Sequence, residues 1–301
     1  MTHLLAFAAM CLIWGLTWLP TKMAAAAMSP ISVAACRFVL AGLLFFAYAR
    51  LTGASLRTRQ PARLVAASLL ITTGCYAAVF WGVAHAPSGL SAIINFSSMP
   101  ILIALIGAAY GEERITPPRI AAVGLGIVGL AVLFLPQMSG LEDASAVPGL
   151  VSVAIGTASY AWGAVISRPL VRELPPASIA FWETFLGGLA LIPLAIGIEG
   201  WHPERYANFV HDPVAIGSLA FMIVFGSLTA FTIYLWLLRD WGAFRAGLYA
   251  FVSPAIAVLV GTLYGGEAFG WTELVGMAAM FAATFLAMAP ARSARTSAAS
   301  G

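Results

Sequence analysis

The sequence predicts an all-α membrane protein. Hydrophobic residues make up 61% of the 301-residue chain and charged residues only 9%, and the mean hydropathy is +0.94. A helix needs about 20 consecutive apolar residues to cross the ~30 Å hydrocarbon core of a bilayer, and runs of that length recur along the whole chain. A membrane β-strand would instead alternate apolar and polar residues over about 10 positions. The apolar runs are therefore typical of transmembrane helices.

Ten such runs predict ten transmembrane helices, with no room for a water-soluble domain between them. In chain order they cover about residues 4–25, 31–50, 64–86, 88–110, 118–136, 147–167, 177–198, 213–238, 243–265 and 270–290. Only Thr2 and His3 lie between the first methionine and the first run. Because a signal peptide has a basic segment at that place, we interpret the run as the first helix.

The two halves of the sequence repeat each other. Shifting residues 88–136 by 154 positions aligns Pro100 with Pro254, and several later positions then coincide: Gly107 with Gly261, Tyr110 with Tyr264, Gly111 with Gly265 and Glu113 with Glu267. Five helices in each half would invert the second repeat relative to the first. We predict a first repeat over 1–136, a periplasmic connector over 137–146, an inverted second repeat over 147–290 and a disordered cytoplasmic tail over 291–301.

The basic residues predict the orientation. Ten spans place both termini on one side of the membrane, where 12 of the 15 Lys and Arg residues also lie, whereas the other side holds Lys22 and Arg205. Basic loops face the cytoplasm. We therefore predict an inner-membrane protein with cytoplasmic N- and C-termini. The net charge of +3 follows from this distribution and does not indicate a nucleic-acid partner.

Short motifs recur in the same order in both halves. They are Trp14-Gly15 and Trp162-Gly163, and the mid-helix prolines followed by Gly111-Glu112-Glu113 and Gly265-Gly266-Glu267; Arg37-Phe38 stands in helix 2 alone, where helix 7 has Glu183-Thr184. With the arrangement of five plus five helices, they resemble the EamA-type members of the drug/metabolite transporter superfamily over almost the whole chain. The sequence is similar to the branch that exports aromatic amino acids and paraquat. This resemblance implies an exporter of amino acids, other metabolites or toxic cations, and the inverted repeats predict that it works by alternating access.

Enzyme signatures are absent from the sequence. It contains no zinc-type His pair, no nucleophile elbow and no phosphate-binding loop. Cys11, Cys36 and Cys75 lie in apolar runs without metal-like spacing, as expected of small buried side chains. We therefore predict no catalytic residues, no metal and no cofactor.

The paired prolines predict where a solute binds. Interrupted helices at corresponding places in two repeats are the best pointer to a transporter's binding site. A proline has no N–H, so Pro100 and Pro254 leave the carbonyl groups of Phe96 and Ala250 without their helical donors. We predict that both prolines act as hinges and that these carbonyl groups receive the ammonium group of a solute.

Aromatic and polar residues near the same depth form the predicted substrate-binding set. Aromatic rings stack on apolar solutes or attract cations, but near the ends of a span they also serve as anchors at the membrane surface. An amide such as Asn95 is costly in lipid and should face a cavity or another helix. The set is Trp14, Tyr76, Asn95, Phe96, Ser98, Trp162, Tyr234, Tyr249 and Ser253.

Two charged residues lie clearly within predicted spans, Arg37 and Glu183. Such residues are expensive in a membrane and usually functional. We predict a role for both in the solute pathway or its gate, with snorkelling or pairing near the membrane surface as the alternative. Each lies about six residues from a helix end, on opposite sides of the membrane, so we expect them not to contact each other.

The predicted pathway favours a net-neutral or zwitterionic solute. Phosphate esters need cationic side chains along the path, and helices 4 and 9 carry none there. We predict export of amino acids with apolar or aromatic side chains. The alternatives are export of hydrophobic cations such as paraquat and, from another class, a channel-like facilitator or membrane receptor. The expected partners are the small solute and membrane lipid, with a monomeric chain.

Overall fold

In the part of the chain that the structure describes, ten long helices follow the ten predicted spans. The computed structural model describes residues 1–86, 88–113, 115–134, 146–265 and 269–288. The helices are α1 Thr2–Ala27, α2 Pro30–Thr52, α3 Pro61–Val83, α4 Ser88–Ala109, α5 Pro117–Leu133, α6 Val147–Glu173, α7 Pro176–Glu199, α8 Pro213–Trp241, α9 Ala243–Gly247 with Tyr249–Gly265, and α10 Trp271–Met288. The predicted tail and residues 137–145 of the predicted connector lie outside the described residues.

The described helices have the length and composition of membrane spans. Nine are long and apolar enough to cross a membrane within the described ranges, and α5 is equally apolar but only 17 residues long. One further short helix, Pro203–Phe209, lies between α7 and α8. The chain is thus an all-helical, multi-pass protein, as the hydropathy predicts.

Proline begins half of the long helices. Its fixed φ suits the first helical turn, and its missing N–H is one that would have no helical acceptor anyway. The prolines at these starts are Pro30, Pro61, Pro117, Pro176 and Pro213. The sequence thus marks these helix starts locally.

Two of the helices widen at mid-length. Residues Leu69–Gly74 of α3 and Met222–Phe231 of α8 form π-helical turns. Such turns inside α-helices occur frequently at functional sites. α3 and α8 are the third helices of the first and second sets of five, so the widening occurs at matching places in the two halves.

The helices pack in pairs that join the first five helices to the last five. α2 lies along α7 and α5 lies along α10, while α3 and α4 pack on α6, and α1 packs on α8 and α9. Every one of these pairs takes one member from each half. The principal contacts of the bundle therefore lie between the halves.

Glycines allow the α2–α7 pair to approach closely. A Cβ atom at Gly42 would lie 2.6 Å from Cβ and 2.8 Å from Cα of Phe185. A Cβ atom at Gly188 would lie 2.8 Å from the backbone nitrogen of Val39. Since apolar burial provides little attraction between helices in lipid, this backbone contact supplies the van der Waals energy that holds them together.

Candidate functional site

A cavity of about 200 Å³ lies where the two halves meet. Among the described residues, those of eight helices line it, from all helices except α5 and α10. Of the predicted site residues it brings together Trp14, Arg37, Tyr76, Asn95, Phe96, Tyr249 and Ser253. Both π-helical turns also reach it, through Ile71 and Thr72 of α3 and through Gly226, Ser227 and Phe231 of α8. We call this the central cavity.

Aromatic side chains form much of the wall of the central cavity. The Trp14 indole Nε1–H donates to the carbonyl oxygen of Gly226 at 3.1 Å, and its ring meets the ring of Tyr249 edge-on with 4.4 Å between centroids. The ring of Tyr76 likewise meets the ring of Phe38 edge-on, with 4.6 Å between centroids. These contacts hold the rings in place and present apolar surface to a bound solute.

Three predicted site residues lie elsewhere. The Ser98 hydroxyl donates to the carbonyl oxygen of Ile94 in its own helix. Trp162 is 48% exposed on the outside of the bundle and donates to the Tyr110 hydroxyl at 3.0 Å. Tyr234 is fully buried behind the wall, with its ring centroid 6.1 Å from that of Tyr249. The structure therefore does not bring these three side chains to the cavity.

The roles predicted for Pro100 and Pro254 as hinges and for Glu183 at the gate stay predictions, and the structure shows where these residues lie. α4 and α9 continue through Pro100 and Pro254, so neither helix is interrupted there. One missing N–H removes one hydrogen bond, and packing against neighbouring helices lets a membrane helix tolerate that loss. Glu183 is fully buried beside the cavity wall and accepts a hydrogen bond from the Ser167 hydroxyl of α6. No ion pair joins it to Arg37 in the described part of the chain.

The central cavity also contains hydroxyl groups that the sequence analysis missed. Thr17, Thr72 and Ser227 line it. Within α1 the N–H of Thr17 bonds to the carbonyl oxygens of both Ile13 and Trp14, at 3.0 and 3.3 Å. The signal available in the sequence was the presence of hydroxyl residues in otherwise apolar helices, where they favour contacts with other helices.

Ion pairs join the two halves at one end of the bundle. After α4, Glu113 Oε2 accepts from Arg119 Nη1 at 2.9 Å, and Glu112 Oε2 accepts from Arg168 Nη1 at 2.9 Å. Glu113 Oε1 accepts from the backbone N–H of Phe244 at 3.3 Å and lies 3.8 Å from Arg168 Nη1. We call the place where these five residues meet the arginine end.

A glycine with positive φ allows the backbone to approach this network. Gly242, between α8 and α9, has φ +86°, and a Cβ atom there would lie 2.7 Å from Glu113 Oε1 and 2.8 Å from Arg168 Nη2. Any other residue would be strained and would push the carboxylate away. The connection between α8 and α9 can therefore pack closely against the turn that follows α4.

The opposite end of the bundle is hollow. A cavity of about 560 Å³ lies there, lined by Ala25–Ile31, Phe80, Trp81, His85, Ile198, Glu199 and Arg205. Phe80 also lines the central cavity, so its ring lies between the two spaces. The Glu199 carboxylate accepts from the backbone N–H groups of Ile31 and Ser32 at 2.7 and 3.0 Å and so caps α2. We call this space the outer cavity.

A helical bundle that surrounds a solute-sized cavity, joined by ion pairs at one end and hollow at the other, is typical of a membrane transporter. The model of the EamA-like transporter family matches residues 1–135 and 147–289. The chain therefore belongs to the EamA family of the drug/metabolite transporter superfamily, and it is a multi-pass inner-membrane protein. This is a family of transporters and not of enzymes.

Relatives of known sequence match over nearly the whole chain. An uncharacterized inner membrane transporter of Escherichia coli, YedA, is 28% identical over 93% of this chain and 89% of its own length. A probable amino-acid metabolite efflux pump of Salmonella typhimurium is 23% identical over 96% and 95%, and the protein PecM of Dickeya dadantii is 25% identical over 93% and 90%. A crystal structure with 19% identity has the same fold, with a TM-score of 0.80 over 95% of this chain and 96% of that one.

Proposed function

We propose that the protein exports small net-neutral or zwitterionic metabolites, above all amino acids with apolar or aromatic side chains, by alternating access. The observation that carries this proposal is the central cavity, an aromatic-walled space of about 200 Å³ between the two halves. At ~30 Å³ per water, it has room for about six or seven waters. It is smaller than the ~300–1,000 Å³ pockets that hold drug-sized ligands, which favours a metabolite.

Alternating access is supported by the contrast between the two ends. At the arginine end, Glu113 ties Arg119 of the first half to Phe244 of the second. At the other end, the outer cavity of about 560 Å³ separates the helices. If each helix is replaced by its counterpart five places along the chain, the pairs α2 with α7 and α5 with α10 map onto themselves. The pair α3 with α6 becomes α8 with α1, which are also in contact. Such pairing favours inverted repeats, each half rocking against the other about the solute.

The orientation proposed from the basic loops places the arginine end in the cytoplasm. The outer cavity then faces the periplasm, with both termini on the cytoplasmic side. Closing the arginine end while the outer cavity stays open corresponds to the step that releases an exported solute.

Charge favours amino acids over hydrophobic cations. The described lining of the central cavity contains Arg37 and no Asp or Glu. A cation such as paraquat would meet a like charge without a carboxylate to compensate it, whereas a zwitterion brings its own carboxylate. A similar protein named as a probable amino-acid metabolite efflux pump supports the same choice.

Competition during efflux tests this proposal. Proteoliposomes are loaded with labelled phenylalanine, and efflux is measured with excess unlabelled phenylalanine, threonine, methionine or paraquat inside. We expect the amino acids to slow efflux of the label and paraquat to leave it unchanged. Slowing by paraquat alone would favour the cation exporter and contradict the proposal.

A further inference from the structure

Arg37 is a buried cation in the wall of the central cavity. It lies seven residues after the start of α2, or about 10 Å along the helix axis, and is only 9% exposed. Its Nε–H donates to the Ser227 hydroxyl in the π-helical turn of α8 at 3.0 Å. Its Cζ atom lies 5.1 Å from the centroid of the Phe38 ring. These contacts fix the plane of the guanidinium group.

The charge of Arg37 has no counterion within the described ranges. No described carboxylate oxygen lies within 4.0 Å of it, and the described lining of the cavity contains no Asp or Glu. A guanidinium group stays protonated in proteins and has five N–H donors, of which one bonds to Ser227. A charged group in a membrane protein that lines a cavity without a partner marks a ligand site.

The neighbouring backbone leaves space for the guanidinium group. A Cβ atom at Gly226 would lie 2.8 Å from Arg37 Nη2 and 3.0 Å from Thr17 Cγ2. Glycine at this position therefore keeps the Nη2 side clear. The same residue accepts the Trp14 indole N–H through its carbonyl oxygen, so one position of α8 places both an aromatic ring and the cation at the cavity.

We propose that Arg37 binds the carboxylate of the transported solute through its Nη groups, with Ser227 as the residue that positions it. The inference rests on the proposed export of amino acids and adds the chemical group that the site requires. Planar carboxylates match the two parallel N–H donors of a guanidinium group. The ring surfaces of Trp14, Tyr76 and Tyr249 then face the remaining, apolar part of the solute. A solute without a carboxylate leaves the buried charge uncompensated and is excluded.

Matched ligands test the carboxylate requirement. Binding to purified full-length protein in nanodiscs is measured by calorimetry for phenylalanine, phenylalaninamide and phenethylamine, which share the ring and differ at the carboxylate. We expect phenylalanine to bind at least about 10-fold more tightly than either analogue. Arg37→Gln should weaken the binding of phenylalanine by about 10- to 100-fold and abolish the difference in affinity between the three ligands. Arg37→Lys should retain part of that difference.

Three measurements separate this role from a structural one. Arg205→Gln removes an arginine of the outer cavity that bonds to Ser29, and it should leave the affinity for phenylalanine unchanged. The thermal midpoint of Arg37→Gln should stay near that of the wild type, because removal of a buried charge without a counterion offsets the loss of the bond to Ser227 and of the contact with Phe38. Ser227→Ala should weaken binding less than Arg37→Gln does.

The possible failures are distinct. If wild-type protein binds the three ligands equally or binds only phenethylamine, the proposed amino acid function fails and the carboxylate site with it. If wild-type protein selects phenylalanine and a folded Arg37→Gln keeps the same selectivity, the function stands and the assignment of Arg37 is wrong. A lower thermal midpoint with unchanged selectivity would mean that Arg37 is structural.

Discussion

Neutralising Glu113 should make the arginine end easier to open. The Glu113 side chain is 6% exposed and bonds to Arg119 Nη1 and to the backbone N–H of Phe244. Glutamine has almost the same shape and keeps one carbonyl oxygen as an acceptor. Glu113→Gln therefore removes the charge with little change in packing. Glu113 contacts the second half through Phe244 and through Arg168 Nη1 at 3.8 Å, whereas its pair with Arg119 lies within the first half. Opening breaks only the contacts with the second half, so their loss falls mainly on the closed state.

The size of the effect follows from burial. Breaking a fully buried ion pair costs about 3–5 kcal/mol, whereas an exposed pair contributes about 0–1 kcal/mol. The Arg168 side chain, which pairs with Glu113 between the halves, is 14% exposed, and it retains its ion pair with Glu112 at 2.9 Å in the variant. An intermediate loss of about 1–3 kcal/mol corresponds to a 5- to 150-fold change in the ratio of closed to open molecules.

Cys75 provides a native reporter for this change because it lines the central cavity. Cys36→Ala removes the other partly accessible thiol, and Cys11 is fully buried. A membrane-impermeant maleimide is added to one side of oriented vesicles, and modification of the Cys75 peptide is followed by mass spectrometry. We expect Glu113→Gln to accelerate modification from the arginine side at least about 5-fold and to slow it from the opposite side.

The matched control is Glu204→Gln, since Glu204 is 64% exposed and its ion pair is with His202 of the same segment. It should leave both rates unchanged. If Cys75 reacts at equal rates in the Cys36→Ala protein with and without Glu113→Gln, and the thermal midpoints are unchanged, the idea that these ion pairs hold the arginine end closed is refuted.

Three further predictions concern packing, capping and the prolines. Gly42→Ala should lower the unfolding free energy by about 1–3 kcal/mol. Gly197→Ala should leave it unchanged, because no neighbouring atom lies within 4 Å of the added Cβ. Urea titration measures the unfolding free energy of both variants. Glu199→Gln should cost about 1 kcal/mol by the same measurement, since it weakens the cap of α2. Pro100→Ala and Pro254→Ala should fold normally but slow phenylalanine efflux, and wild-type rates would contradict their role as hinges.

The helices could be predicted because local sequence determines them. Long apolar runs require helices in lipid, where all backbone groups need internal partners, and prolines such as Pro117 and Pro176 mark helix starts. The π-helical turns were beyond prediction. They depend on how α3 and α8 pack on other helices, and residues 69–74 and 222–231 read as ordinary apolar helix.

The site could be predicted only in part, for a related reason. Tyr76 and Asn95 stand out as aromatic and polar groups in apolar surroundings, and both line the central cavity. Trp162 has the same character but faces outward. A helix that is apolar on every side carries no periodic signal of which face turns to a cavity and which to lipid. The arginine end likewise depends on contacts between residues far apart in sequence, such as Glu113 with Phe244.

Counterflow tests most directly whether the central cavity carries solute by alternating access. Uptake of labelled phenylalanine into proteoliposomes is measured with and without unlabelled phenylalanine inside, and repeated with threonine and methionine. Alternating access predicts saturable uptake that internal amino acid accelerates. After releasing the label inside, the carrier binds an internal amino acid, and this bound solute lets its binding site return to the outside. Uptake that rises linearly with concentration and ignores internal amino acid would indicate a channel and contradict the account.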